Sequence, residues 1–109
     1  MPAIPKQLAQ AAIGTTIATA YTAPASPGYT ILKEINIVNT GTAAATVRVH
    51  VVPSGGTAGT ANATLYDWSV DAKGLFVHVY DMIIPAGATI QLLASAAGCT
   101  ATISGVEVT

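Results

Sequence analysis

The sequence predicts an all-β fold: a single antiparallel β-sandwich, jelly-roll or immunoglobulin-like, of about seven strands with an extended N-terminal arm. Three observations predict it. Runs of β-branched and aromatic residues recur at short, regular spacing, Pro- and Gly-rich turns separate them, and no stretch sustains a helical apolar period. The 109 residues suit one domain with a core that needs neither disulfide nor metal. The expected division is an arm, 1–13, and a sandwich, 14–109.

Residues 1–13 contain Pro2 and Pro5 and show no period-2 alternation. They are expected to lie outside the sandwich as a clasp, with Ile4, Leu8 and Ile13 making assembly contacts against another subunit. Residues 15–22 form the first strand, with Ile17, Thr19 and Tyr21 on one face. Pro24 and Pro27 remove backbone donors and keep the following loop irregular. The centre of the chain is 29–52, where the runs YTILKEINIV and ATVRVHVV flank the turn cluster Asn39-Thr40-Gly41-Thr42. Together they predict a long antiparallel hairpin. In its second run Val47, Val49 and Val51 oppose Thr46, Arg48 and His50. In its first run Ile31, Ile35 and Ile37 alternate around Lys33, but Leu32 and Val38 fall on the other face, which predicts cover on both sides.

The Gly-rich loop 53–62 has nothing apolar to anchor it and is expected to be exposed and mobile. The strand 64–70 places Tyr66, Trp68 and Val70 together. After the turn 71–74, the strand 75–84 is apolar or aromatic on both faces, a second sign of two-sided burial. Pro85-Ala86-Gly87 turns the chain into 88–95, and 96–98 leads to the last strand, 100–108.

Charged residues make up 8% of the chain, against roughly 25% in an ordinary soluble domain. A surface of Thr, Ala, Ser and Gly in their place predicts that neighbouring subunits cover much of it, most simply in a homo-oligomer with a closed trimer favoured. Four basic residues and a net charge of −1 exclude electrostatic capture of nucleic acid. Cys99 is alone, so no intrachain disulfide or cysteine-based metal framework forms. Polar residues interrupt both the N-terminal apolar stretch and 82–98, which argues against a signal peptide and a membrane span.

No chemistry is legible in the pattern. His50 and His78 lie on different strands with no ligand-spaced partner, so no metal or cofactor is expected. Glu34, Asp67, Asp71, Asp81 and Glu107 are scattered singly, Ser54 and Ser69 lack a nucleophile elbow, and Gly55, Gly56 and Gly59 precede no Lys-Ser, Lys-Thr or helix. No catalytic residue is expected. Asn62-Ala63-Thr64 matches a glycosylation sequon, as short random matches often do. One cluster has a binding pattern: Tyr66, Trp68 and Tyr80, with His78 beside them, could form an aromatic platform for a sugar or pack as a core or subunit interface.

Several segments carry a resemblance. Lys6-Gln7-Leu8-Ala9-Gln10, Ala20-Tyr21-Thr22-Ala23-Pro24, the run 31–40, the run 44–49, Thr64-Leu65-Tyr66, Ile84-Pro85-Ala86-Gly87 and the closing 103–108 together resemble small β-sandwich virion proteins of tailed bacteriophages. The resemblance spans nearly the whole chain in strand-and-turn patterns. It implies a non-enzymatic virion protein whose partners are the major capsid protein or tail and neck proteins. The head decoration or cement role comes first, with tail, neck or fibre accessory roles and a carbohydrate-binding module on the virion surface as alternatives.

Overall fold

In the computed structural model, which describes residues 2–109, the chain forms eight strands: β1 (Ala3–Ala12), β2 (Ala18–Thr22), β3 (Tyr29–Asn39), β4 (Ala45–Val52), β5 (Ala63–Val70), β6 (Leu75–Ile84), β7 (Thr89–Ala94) and β8 (Cys99–Val108). A short 3-10 turn, Thr60–Asn62, precedes β5. The first strand pairs with the last, β2 with β7, β3 with β6 and β4 with β5, all antiparallel. Further pairing of β3 with β8 and of β4 with β7 closes two four-stranded sheets, β1-β8-β3-β6 and β2-β7-β4-β5. A long antiparallel ribbon rolled up in this way is a jelly roll.

Two expectations are corrected. The runs either side of Asn39-Thr40-Gly41-Thr42 do not form a hairpin, because β3 and β4 lie in different sheets and the turn carries the chain across the core. Asn39 makes that crossing. Its buried amide donates to the carbonyls of Ala43 (2.9 Å) and Val70 (3.1 Å) and accepts from the Gly41 N–H (2.9 Å), so three backbone groups at the crossing are satisfied by one side chain. The tip of the ribbon is instead β4–β5, joined through the Gly-rich loop.

The second correction concerns the N-terminal segment; Met1 lies outside the described residues. The segment is extended, but it runs along β8 from Ala3 opposite Val108 to Ala12 opposite Thr100, giving the sandwich its eighth strand. Of the residues expected to meet another subunit, Ile13 is 3% exposed in the chain's own core and Leu8 packs against that core, while Ile4 is exposed. Period-2 alternation is missing from the sequence here because β1 bulges at Leu8, where Gln7 faces Ser104 and Ala9 faces Ile103.

A bulge also explains the untidy first run of the supposed hairpin. Leu32 faces Gly105 and Glu34 faces Ser104, leaving Lys33 as an extra residue. Alternation therefore changes phase: Thr30 and Leu32 are buried before the bulge, and Ile35, Ile37 and Asn39 after it. The strand is covered on one face only. Leu32, Ile35, Ile37, Ile84 and Ile103 from one sheet meet Val47, Val49 and Ile90 from the other, each fully buried. Burial of each such side chain contributes about 1.5–3 kcal/mol.

Candidate functional site: an aromatic cleft beside an apolar edge

The sheet order leaves β5 and β6 as free edges on the same side of the sandwich. Between them lies a cleft of about 230 Å³ lined by Thr64, Leu65, Trp68, Phe76, His78 and Tyr80. Trp68 meets Phe76 across the gap at 5.8 Å between ring centroids, Phe76 stacks on His78 at 6.2 Å with planes 2° apart, and His78 meets Tyr80 edge-on at 4.5 Å. Trp68 is 53% exposed, so one aromatic surface of the cleft is open. Burial pushes the Tyr80 hydroxyl up from its ordinary pKa, and a hydrogen bond with Thr64 pulls the other way.

Of the three residues expected to cluster, Trp68 and Tyr80 line the cleft and Tyr66 does not. The cause is a bulge in β5. Val47 faces Trp68 but Val49 faces Leu65, and Asp67 adopts φ 51°, so the alternation that would put Tyr66 beside Trp68 is broken between them. Tyr66 lies instead beneath the Arg48 guanidinium, 4.2 Å from ring centroid to Cζ, and edge-on to His50 at 6.4 Å. Phe76, which completes the row, was visible in the sequence only as one more aromatic on a strand apolar on both faces.

Shallow hollows of about 320 and 400 Å³ flank Arg48 on the second sheet and share Thr15, Arg48 and Leu93. Arg48 donates from Nε (2.6 Å) and Nη2 (3.1 Å) to the two carboxylate oxygens of Asp67. That hydrogen-bonded pair raises the arginine pKa and lowers that of Asp67. With Tyr66 on its other side, the guanidinium is already partnered, and the hollows offer no spare cation for an acidic ligand.

The remaining polar candidates are structural. His50 is buried, and its Nδ1 lies 3.0 Å from both the Gly59 carbonyl and Asn62 Oδ1. Two oxygen acceptors require Nδ1 to carry the proton. Asn62 also accepts from the Gly59 N–H and donates to the Thr57 carbonyl, which occupies the amide of the sequon match. Asp81 pairs with Lys33 at 2.6 Å, and Glu107 with Lys6 at 3.1 Å. Among the described residues no three His, Cys, Asp or Glu side chains converge on a metal position. Cys99 is buried, and its thiol is pushed up by that burial.

Strand β6 departs from expectation in a way that bears on function. Its outward residues Leu75, Val77, Val79 and Ile83 are 61%, 45%, 70% and 56% exposed. The sequence pattern implies burial on both faces; among the described residues no segment packs over the outer face of the β1-β8-β3-β6 sheet at these positions.

The same architecture recurs in solved virus structures. A chain in the structure of the infectious bursal disease virus Gx strain matches 98% of this protein with TM-score 0.60 and 16% identity. One in the Gt-strain structure matches 97% with TM-score 0.53 and 11% identity. In each the protein spans 32% of the viral chain's length. The likeness is one of fold, an antiparallel β-sandwich. No protein-family model matches the sequence, and neither does any curated protein.

Proposed function

We propose that the protein is a non-enzymatic structural subunit of a virus particle, a bacteriophage capsid decoration or cement protein that binds the head lattice in many copies. The observation that carries this reading is the bare apolar row along β6 on a chain with 8% charge. An apolar strip of this kind on a soluble domain marks a protein–protein contact. The jelly-roll likeness to chains in the infectious bursal disease virus structures supports a place in a virion shell. So does the sequence resemblance to phage virion proteins. Weak single contacts repeated over a lattice gain from avidity. Self-association, with the closed trimer expected from composition, belongs to the same reading; sedimentation equilibrium showing only monomer at every accessible concentration removes it.

The test is co-sedimentation of purified protein with particles stripped of it, followed by imaging of the labelled subunit. Saturable binding over the head surface is the expected result. Binding confined to tail, neck or fibre assigns the accessory role instead, and no binding to any particle part overturns the proposal.

The open Trp68 ring favours one second reading, a carbohydrate site in the cleft between β5 and β6. Glycan-array binding with quenching of Trp68 fluorescence supports it; binding to particles with no sugar response excludes it.

A further inference from the structure

We propose that β6 pairs with β6 of a second copy, antiparallel about a two-fold axis at Val77, joining the two β1-β8-β3-β6 sheets edge to edge. This goes beyond the virion reading and does not depend on it, since the isolated chain suffices for the test.

The case begins with an edge that lacks the usual protection. Free strands are normally blunted by charge, proline or brevity, because their unpaired N–H and C=O groups template association. In β6 ten residues run without a proline, and Asp81 is the sole Asp, Glu, Lys or Arg among them. Apolar residues flank the edge on its outer side, and the aromatic cleft lies on its inner side.

The occupant follows from the order of residues. A two-fold contact must be self-complementary, residue i meeting j and j meeting i. Reading outward from Val77 in both directions gives Phe76 against His78 and then Leu75 against Val79, so each pairing is apolar or aromatic whichever copy supplies it. Phe76 and His78 already stack within one copy, so the same two ring types would meet again across the axis. An axis at Asp81 would set two carboxylates face to face, which is unfavourable between directly opposed residues. Val77 is the midpoint of the part of β6 that pairs regularly with β3, 75–79, and that places the axis there. The length of the contact is set by the bulge in β6, where Tyr80 and Asp81 lie between the pairs Glu34–Val79 and Leu32–Met82. Regular pairing spans 75–79 and stops there. Ile83 lies outside it.

This geometry brings Val77 directly opposite its own copy. Opposed Cα atoms in an antiparallel pair lie about 4.5–5.5 Å apart, within disulfide range. The test is Val77→Cys and Ile83→Cys compared under mild oxidation, with Cys99 buried in both. A covalent dimer from Val77→Cys, and little from Ile83→Cys, is the expected result. No cross-link from a folded Val77→Cys protein, or equal cross-linking of the two, overturns the proposal. Val77→Lys supplies a second measurement at a site exposed enough to leave the fold intact. Sedimentation equilibrium should give the wild type twice the mass of this variant, whatever smaller unit either contains. Equal masses, including association that survives Val77→Lys through another face, overturn the two-fold contact.

Discussion

At the scale of single residues, Gly105 shows how the sheet accommodates two defects at once. On one side of β8, β1 bulges at Leu8; on the other, β3 bulges at Lys33. A methyl group added at Gly105 would run into the Ile31 carbonyl oxygen and come within 2.9 Å of Leu8 Cδ1. The first obstacle is backbone and cannot move aside cheaply. Gly105→Ala is expected to cost about 1–3 kcal/mol, the range for overpacking a filled site. Urea melts of the two proteins check this; equal midpoints would show that the two bulges can shift to make room. None of this was legible beforehand. A glycine inside a strand hints at close approach, but which neighbour approaches depends on strand order.

At the scale of elements, β1 and the Gly-rich loop each behave differently from a reading of composition alone. Strand β1 covers one edge of β8 along its whole length, and Ile13 follows it into the core. Deleting residues 2–12 should therefore lower the melting temperature sharply, because β8 loses its partner and the apolar contact of Leu8. A thermal melt unchanged by the deletion would return the segment to the role of a detachable arm. The loop divides in two. Gly55 has φ 76° and no atom within 4 Å of a Cβ built on it, whereas 57–62 is tied down by Asn62 and His50. A short tag inserted between Gly55 and Gly56 should leave stability within a few tenths of a kcal/mol, since closure entropy rises slowly with loop length. The same tag between Gly59 and Thr60 should destabilise the protein by separating the acceptors that His50 needs. Paired melting curves distinguish the two sites, and equal tolerance would mean that the His50 contacts contribute nothing.

At the scale of the whole molecule, one polar cluster bridges both sheets. The Tyr21 hydroxyl on β2 donates to Glu107 on β8 and lies 2.7 Å from Thr30 Oγ1 on β3, and Lys6 on β1 closes the group on Glu107. Burial first, then the hydrogen bond to Glu107, pushes the Tyr21 pKa up from 10.0 to about 12. The Tyr21 hydrogen bond, assisted by Lys6 and opposed by burial, holds Glu107 below its ordinary 4.5. The signs differ. The raised tyrosine contributes stability in full below pH 10.0, lost as pH rises towards about 12. The depressed carboxylate contributes above 4.5, and its share is lost as pH falls through the lowered folded value. Tyr21→Phe removes the tyrosine's titration and the largest cause of the Glu107 shift, leaving the part due to Lys6, so its melting temperature should lie furthest below wild type near neutrality and approach it at both extremes. A constant gap from acid to alkali would show that the cluster acts by packing alone.

The class of the fold and most of its strands were determined by the sequence itself, because β-branched runs and Pro-Gly turns are local properties that act wherever the chain goes. Local signals stop at pairing. Nothing in 29–52 distinguishes a hairpin from a crossing between sheets, since either leaves two runs and a turn; the choice falls to what β8 and β7 bring from far along the chain. Bulges erase alternation for the same reason. Those at Leu8, Lys33 and Asp67 each set an extra residue against a partner strand from a distant part of the chain, so the arm, the phase of β3 and the separation of Tyr66 from Trp68 were all decided in three dimensions. The apolar character of 75–84 was plain from the residues, but whether its outer face meets a core or open solvent depends on whether a further layer packs on that sheet, which only the tertiary structure decides.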